Sequence, residues 1–240
     1  MRSSVESFMP YKEIPIPEDC LTVEIPSWDA VVQPTIDVVI NEYNDLTQSQ
    51  EVEITDEMVE IMPIDNVNTV YQLKQYAMTL FQKNQKQYKF YHEILPFILT
   101  FYHQFSVVVF NSEEKEAYLK KYIQQIEQNA ESVGLTLENY AMEYLEISGD
   151  IKNKLITRGE EDFVFKLIAQ KIFKLQGGQL DEESYERFIQ RNVLHRQADE
   201  IEIREQFPYH VFVEMMPEMS LTQDLFDYFS ERIRFVIQQN

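Results

Sequence analysis

Apolar residues recur along much of the chain at spacings of three and four, which is the period of an α-helix. One such stripe begins near Pro34, and a longer one runs from about Asn68 to Phe105. Pro34 suits the first turn of a helix, where its missing N–H group costs nothing. Pro96 interrupts the longer stripe and therefore predicts either a kink or two separate helices.

Polar caps and glycines indicate where several further helices begin and end. Thr55, Asn111 and Thr136 each precede an apolar stripe and are predicted to be N-caps. Gly134 is the natural C-terminal stop of the helix that follows Asn111, and Gly149 is expected to end the next one. The chain should therefore be organised as a series of capped helices with short connections.

The remaining segments are assigned from the same patterns. Helices are predicted over Ile151–Leu175 and Asp181–Gln190, followed by an irregular region over Arg204–Ser220. A last helix should carry Leu225, Phe229, Ile233 and Val236 on one stripe.

Strand signals are few and short. The CLTVEI segment near the N-terminus and the residues Val107–Phe110 are candidate extended segments. The polar stretch Asp45–Glu53 is interpreted as a loop or a short strand. The predicted fold class is therefore mainly α, with long helical arms that make the domain elongated and a small extended N-terminal segment.

The charge is strongly unbalanced, with 41 Asp and Glu residues against 21 Lys and Arg and a net charge of −20. This charge argues against a nucleic acid or an anionic membrane surface as a partner. Either it serves solubility alone or its target is basic. Cys20 is the single cysteine, so no internal disulfide can form, and the N-terminus lacks an apolar signal segment. These features predict a cytoplasmic protein.

Glycine usage disfavours nucleotide-binding enzymes. The chain has five glycines, and neither of the common phosphate-binding glycine motifs occurs. His92 and His103 would share a helix face but lie ~16 Å apart along the axis, too far for one metal ion. The acidic runs at 113–114, 160–162 and 181–183 are expected at helix starts, where they complement the helix dipole. No catalytic, cofactor-binding or metal-binding residue is predicted, and an enzyme of unknown class remains a minor alternative.

The order of these elements resembles the bacterial trigger factor family over roughly residues 11–240. The stretch YKEIPIPEDCLTVEIPSWDAVVQPTIDVVINEY is similar to the linker that follows the ribosome-binding domain of that family. EITDEMVEIM and NVNTVYQLKQYAMTLFQ resemble the entry to its C-terminal, SurA-like chaperone domain. GLTLENYAMEYLE and EEDFVFKLIAQKIFKLQGGQLDEESYERFI resemble the heart of that domain. The ribosome-docking signature G-F-R-x-G-K-x-P is absent, and only about ten residues lie where the isomerase domain would sit.

The resemblance implies an ATP-independent chaperone that binds unfolded, nascent or partly assembled proteins, without ribosome docking or prolyl isomerisation. It also implies two parts: a linker-like segment over residues 1–54, packing on a helical chaperone domain over 55–240. Aromatic and methionine side chains adapt to many apolar partners, and the candidate client-binding residues are Phe97, Phe101, Phe105, Phe110, Tyr144, Phe212, Met215, Met216 and Met219.

Two readings of these residues compete with promiscuous binding. Any one of them could instead belong to the core. The same surface could also serve one folded, dedicated partner, which is the alternative function. Basic clients are favoured by charge, while the oligomeric state is left open by the sequence.

Overall fold

The computed structural model describes residues 2–197 and 199–238, and the fold is mainly helical, as predicted. A π-helical turn lies at Phe90–Ile94, and short 3-10 turns lie at Tyr11–Glu13 and Asp19–Leu21. The strands are β1 (Ser4–Ser7), β2 (Thr22–Ile25), β3 (Val107–Val109) and β4 (Arg234–Ile237). The helices are α1 (Trp28–Thr47), α2 (Asp56–Glu60), α3 (Val70–Lys89), α4 (Leu95–Phe105), α5 (Ser112–Ser132), α6 (Leu137–Tyr144), α7 (Ile151–Leu175), α8 (Glu182–Arg196), α9 (Glu200–Gln206) and α10 (Tyr209–Ser230). No helix among the described residues has the length and apolar character needed to cross a membrane.

The chain forms two compact units, each built from separate stretches of sequence. The first unit contains the described residues up to Pro15 together with Pro96–Asp227. The second contains Ile16–Leu95 and the described residues from Tyr228 onward. The division into a linker-like segment over residues 1–54 and a helical domain over residues 55–240 stays a prediction.

The predicted helix caps are confirmed. The side chains of Thr55, Asn111 and Thr136 each accept a hydrogen bond from the backbone N–H three residues later. Each bond satisfies one of the N–H groups that a helix start leaves without an intrahelical partner. Gly134 takes a left-handed φ of 72° just beyond α5, which is the conformation that ends many helices.

The core of the first unit is built around α7, which packs against α5. Gly159 makes this close approach possible, because a Cβ there would come within 2.9 Å of side-chain carbons of both Leu119 and Tyr122. The middle of α7 is buried on several sides, and Ile168 is fully buried. Leu175, at the end of the predicted apolar stripe, is instead 73% exposed.

Two smaller apolar clusters complete the first unit. One brings α5, α6 and α7 together through Ile126, Ala141 and Leu155. The other packs α8, α9 and α10 around Ile189 and Ile203. Each cluster joins helices that follow one another in sequence, so short connections position them.

The second unit packs α1, α2 and α3 around a core that includes Val39, Val59 and Leu73. Its two strands, β2 and β4, pair in parallel with Val23 opposite Phe235. The Phe235 ring lies 5.7 Å from the ring of Trp28 at the start of α1. The sheet is thereby tied to the first helix of this unit.

Two predictions about helix position need correction or refinement. α1 begins at Trp28, because Ser27 accepts a hydrogen bond from the N–H of Ala30, and Pro34 therefore lies inside the helix. The interruption at Pro96 takes the form of the π-helical turn just before it. There the N–H of Leu95 donates to the carbonyl oxygen of Phe90, five residues back, and the wider turn accommodates a proline that has no N–H group to donate.

The C-terminal part of the chain is more regular than predicted. The segment interpreted as irregular, Arg204–Ser220, completes α9 and forms most of α10, which continues through Pro217. α8 extends to Arg196 rather than ending at Gln190. The predicted last helix stops at Ser230, and Val236 lies in β4. In the second unit, α1 likewise continues to Thr47, into a stretch interpreted as a loop or short strand.

Candidate functional site

Three of the predicted client-binding residues form a row along α4 in the first unit. Phe97, Phe101 and Phe105 are four residues apart and so share one face of the helix. Their ring centroids are 6.3 Å apart for the first pair and 4.7 Å for the second. Phe97 and Phe101 are half-buried, whereas Phe105 is 64% exposed. The row is therefore packed at its start and open at its end.

The open end of this row leads along the chain into β3. Val107 is 50% exposed and Val109 39% exposed, and Phe110 just after the strand is 41% exposed. The Phe110 ring lies 6.1 Å from that of Phe163, and the ammonium group of Lys115 lies 4.8 Å from its centroid. These contacts hold Phe110 in place while leaving part of its ring open. We call this group the β3 surface: Phe105, Val107, Val109 and Phe110.

Tyr144 lies apart from the β3 surface, at the end of α6. It is 58% exposed and stacks on Tyr140 at a centroid distance of 4.9 Å. Among the described residues, no ring contact joins it to the phenylalanines of α4. The candidate residues therefore do not form a single site.

The predicted residues of α10 divide between core and surface. Phe212 is only 1% exposed and packs against Tyr185 at 5.4 Å, so it belongs to the core. Met216, four residues further along the same helix face, is half-buried against this cluster. Met215 is also half-buried, and Met219 is 45% exposed. Of this group, Met219 offers the most open apolar surface.

A groove of about 420 Å³ lies between α5, α7 and α10. The rings of Tyr118, Tyr122 and Phe163 line it together with the charged side chain of Lys166. No sequence pattern indicated this groove, because its lining comes from three helices far apart in the chain. Its mixture of aromatic and charged groups suits a ligand that has both apolar and polar parts.

The polar groups behind this groove are strongly influenced by burial. The Tyr118 hydroxyl donates to Oδ2 of Asp162 at 2.5 Å, and burial, reinforced by the Asp162 charge, raises the pKa of Tyr118. Burial also raises the pKa of Glu218 to about 7, although Nζ of Lys166 lies 3.9 Å from its carboxylate. Asp162 and Glu214 raise the pKa of Glu218 further. The Tyr118 hydroxyl at the groove therefore keeps its proton, and the Glu218 carboxyl beside Lys166 lies behind the groove rather than in its lining.

The acidic EED run at 160–162 lies in the middle of α7, so the prediction that it lies at a helix start is wrong. The Glu160 carboxylate lies 2.7 Å from Nζ of Lys115 and 3.7 Å from Nε2 of His103. Oε1 of Glu161 accepts a hydrogen bond from Thr100 at 2.8 Å. These carboxylates connect α7 to α4 and α5 and have a structural role.

Within the described residues, no group of three or more His, Cys, Asp or Glu side chains could hold a metal ion. In the second unit, Cys20 is half-buried, and burial together with the neighbouring Asp19 charge raises the pKa of its thiol. A raised pKa keeps this thiol protonated and weakly nucleophilic.

Comparisons of the chain with known protein families, with curated proteins and with solved structures found no match. The resemblance to the trigger factor family therefore stays a prediction from sequence.

Proposed function

We propose that this chain is an ATP-independent holdase that binds unfolded or partly assembled proteins, without ribosome docking or prolyl isomerase activity. It acts by binding, in the cytoplasm, and performs no covalent chemistry. The observation that supports this proposal is the β3 surface, which continues the phenylalanine row of α4. The resemblance of the sequence to the trigger factor chaperone domain points to the same function.

The clustering of these side chains supports binding more strongly than their exposure does. Single exposed apolar residues are common on protein surfaces and need no explanation. Here Phe105, Val107, Val109 and Phe110 fall within one short stretch, and Phe101 extends the apolar contact onto α4. An unfolded segment could bury its own apolar side chains against such a surface, which is the interaction that a holdase needs.

The charge of the chain favours the same function. A net charge of −20 repels other copies of the chain and keeps a complex with an apolar client in solution. It also favours clients with a positive charge, such as unassembled basic proteins. Weak, salt-sensitive selection among clients follows from this charge.

Aggregation of chemically unfolded test proteins, with a stoichiometric amount of this chain and no ATP, tests the proposal. The wild-type chain should suppress the aggregation of several unrelated clients. Replacing both Phe105 and Phe110 with serine should raise the concentration needed for half-suppression by about tenfold, because buried aromatic anchors carry much of the binding free energy. Circular dichroism and thermal unfolding would establish that the variant is folded.

The matched control is Leu194→Ser, which removes a side chain that is 78% exposed on α8 in the same unit. It should leave suppression unchanged. Absence of suppression for every client would overturn the holdase proposal and favour one dedicated folded partner. Equal losses in the double variant and in the control would mean that the β3 surface has no special role.

A further inference from the structure

The strand β3 has a free edge. It pairs antiparallel with β1 in a two-stranded sheet, with Val108 opposite Val5. Within the described residues no other strand pairs with β3, so its second edge presents backbone N–H and C=O groups without a strand partner. Such an edge can pair with another chain, and proteins usually protect it with charge, proline or a covering element.

The two strands differ in this protection. The Nζ atom of Lys171 donates to the carbonyl oxygens of Val5 and Glu6 in β1, at 2.8 and 3.0 Å. β1 also has an irregular register between Val5 and Ser7, and such a bulge discourages further pairing. β3 consists of three valines and has neither charge nor proline. Its edge is therefore open to an added strand.

The side chains around β3 suit an extended apolar segment. Val5 is buried and Val108 half-buried, whereas Val107 and Val109 are exposed. Side chains of an added strand would alternate in the same way, so every second one would lie beside an exposed valine. Phe105 and Phe110 stand at the two ends of the strand and would enclose the ends of the segment.

Charges near β3 are complementary to basic residues. Lys115 is already paired with Glu160 at 2.7 Å. In contrast, the exposed side chains of Glu6, Glu113 and Glu116 have no ion-pair partner among the described residues. Glu6 lies on β1, and the other two lie in the first turns of α5, just after β3. A second copy of this chain would bring its own large negative charge, which opposes self-association at this edge.

We propose that β3 accepts a third strand, an extended apolar segment of a client polypeptide flanked by Lys or Arg, through backbone hydrogen bonds to its free edge. This inference rests on the proposed function and specifies how clients bind and which segments are preferred. Backbone pairing would supply affinity for many sequences, while the valines, phenylalanines and carboxylates would set the preference.

A set of fluorescently labelled peptides tests the inference by anisotropy titration. The parent peptide has a centre in which valine or leucine alternates with threonine, so that one face is apolar and lies beside Val107 and Val109, and it has two lysines at each end. Two derivatives carry N-methyl groups at alternate backbone positions, one at the odd and one at the even positions of the centre. Each derivative lacks the N–H donors of one edge and keeps all side chains. Because only one edge of the added strand faces β3, one derivative should bind about tenfold more weakly or worse, and the other nearly as well as the parent.

Two further comparisons address charge and the site itself. Replacing the flanking lysines with glutamates should weaken binding by several-fold, and more at low salt than at high salt. A Val107→Lys, Val109→Lys double variant should lose at least about tenfold in affinity for a peptide with uncharged flanks, because charges on an edge strand block pairing. Leu194→Lys is the matched control and should bind this peptide normally.

Several outcomes would overturn the inference. One is equal binding of the two N-methylated peptides, whether strong or weak. Another is an equal loss of peptide affinity in the Val107→Lys, Val109→Lys variant and in Leu194→Lys. A third is a dimer, detected by light scattering, that dissociates when peptide is added. Aggregation suppression measured in parallel separates the two proposals. If the chain suppresses aggregation but peptide binding does not depend on the N-methyl positions, the holdase function stands and the proposal of an added strand is wrong. Edge-dependent peptide binding without suppression would establish the β3 site and overturn the holdase function.

Discussion

Glu218 on α10 illustrates how the tertiary structure changes the properties of an ordinary residue. Its side chain is 26% exposed and faces Lys166, with Asp162 and Glu214 also close enough to influence it. Burial raises its pKa from 4.5 to about 7 because the ionised form loses hydration. The folded state therefore binds a proton more tightly than the unfolded state does. The stability that this proton contributes is fully present below pH 4.5 and is lost as the pH rises through about 7.

We expect Glu218→Gln to remove this loss. The variant should have nearly wild-type stability at pH 5 and exceed the wild type at pH 8 by about 3 kcal/mol, because the pKa of Glu218 is about 7 in the folded protein instead of 4.5. Urea unfolding of both proteins at several pH values between 5 and 8 measures the difference. Glu127→Gln, at an exposed position on α5, is the control, and its stability should follow that of the wild type across this pH range. Parallel stability curves for Glu218→Gln and the wild type would contradict the prediction.

Other single residues were predictable because their signals are local. The N-cap roles of Thr55, Asn111 and Thr136 depend on a side chain and a backbone N–H three residues away. The exposure of a given phenylalanine has no such local cause. Phe105 and Phe212 look alike in the sequence, yet one is 64% exposed and the other 1% exposed. The difference arises from which helices cover each of them.

At the scale of elements, the C-terminal region shows where the helical period misleads. Leu225, Phe229, Ile233 and Val236 have helical spacing, but the chain leaves the helix at Ser230. The following β4 segment, RFVI, is rich in residues that favour strands and pairs with β2, about 210 residues earlier in the chain. A partner strand at such a distance cannot be inferred from local spacing. The opposite error occurred for α10, which remains helical through a buried Pro217.

The proline inside α1 leads to an element-scale prediction. Pro34 is exposed and lies seven positions into the helix, so the carbonyl of Ala30 lacks its usual N–H donor. Pro34→Ala should restore this hydrogen bond and relieve the clash of the ring. We expect the free energy of unfolding to rise by about 1–3 kcal/mol. Urea unfolding followed by the fluorescence of Trp28, the single tryptophan, measures it in the same helix.

Val38→Ala is the matched control for this substitution. Val38 is 53% exposed in the same helix and keeps its N–H group. Its replacement should change stability by no more than about 0.5 kcal/mol. If Pro34→Ala stabilises the protein no more than this control does, the helix already accommodates the proline without cost.

At the scale of the whole molecule, charge is the dominant feature. The net charge of −20 is spread over a chain in which several cations are already paired, among them Lys115, Lys166 and Arg204. The remaining carboxylates repel one another, and this repulsion is smaller in an expanded, unfolded chain. Added salt should therefore stabilise the folded state by screening it.

We expect the melting temperature to rise between very low salt and physiological ionic strength. A relief of repulsion of about 1 kcal/mol corresponds to about 2–4 °C for a protein of this size. Differential scanning fluorimetry at constant pH measures the change, and NaCl and KCl at equal ionic strength should have the same effect. A melting temperature that falls with salt would mean that attractive ion pairs outweigh the repulsion.

Features that depend on neighbouring residues could be predicted from the order of amino acids. The mainly helical class, the N-caps of several helices, the extended character of β2 and β3 and the excess of negative charge all follow from residue order and local hydrogen bonding. The folded arrangement was needed to establish which strands pair, how the EED run connects α7 to α4 and α5, and which candidate binding residues are exposed. These features depend on contacts between residues far apart in the chain. Such contacts are set by packing and burial, which one-dimensional patterns do not contain.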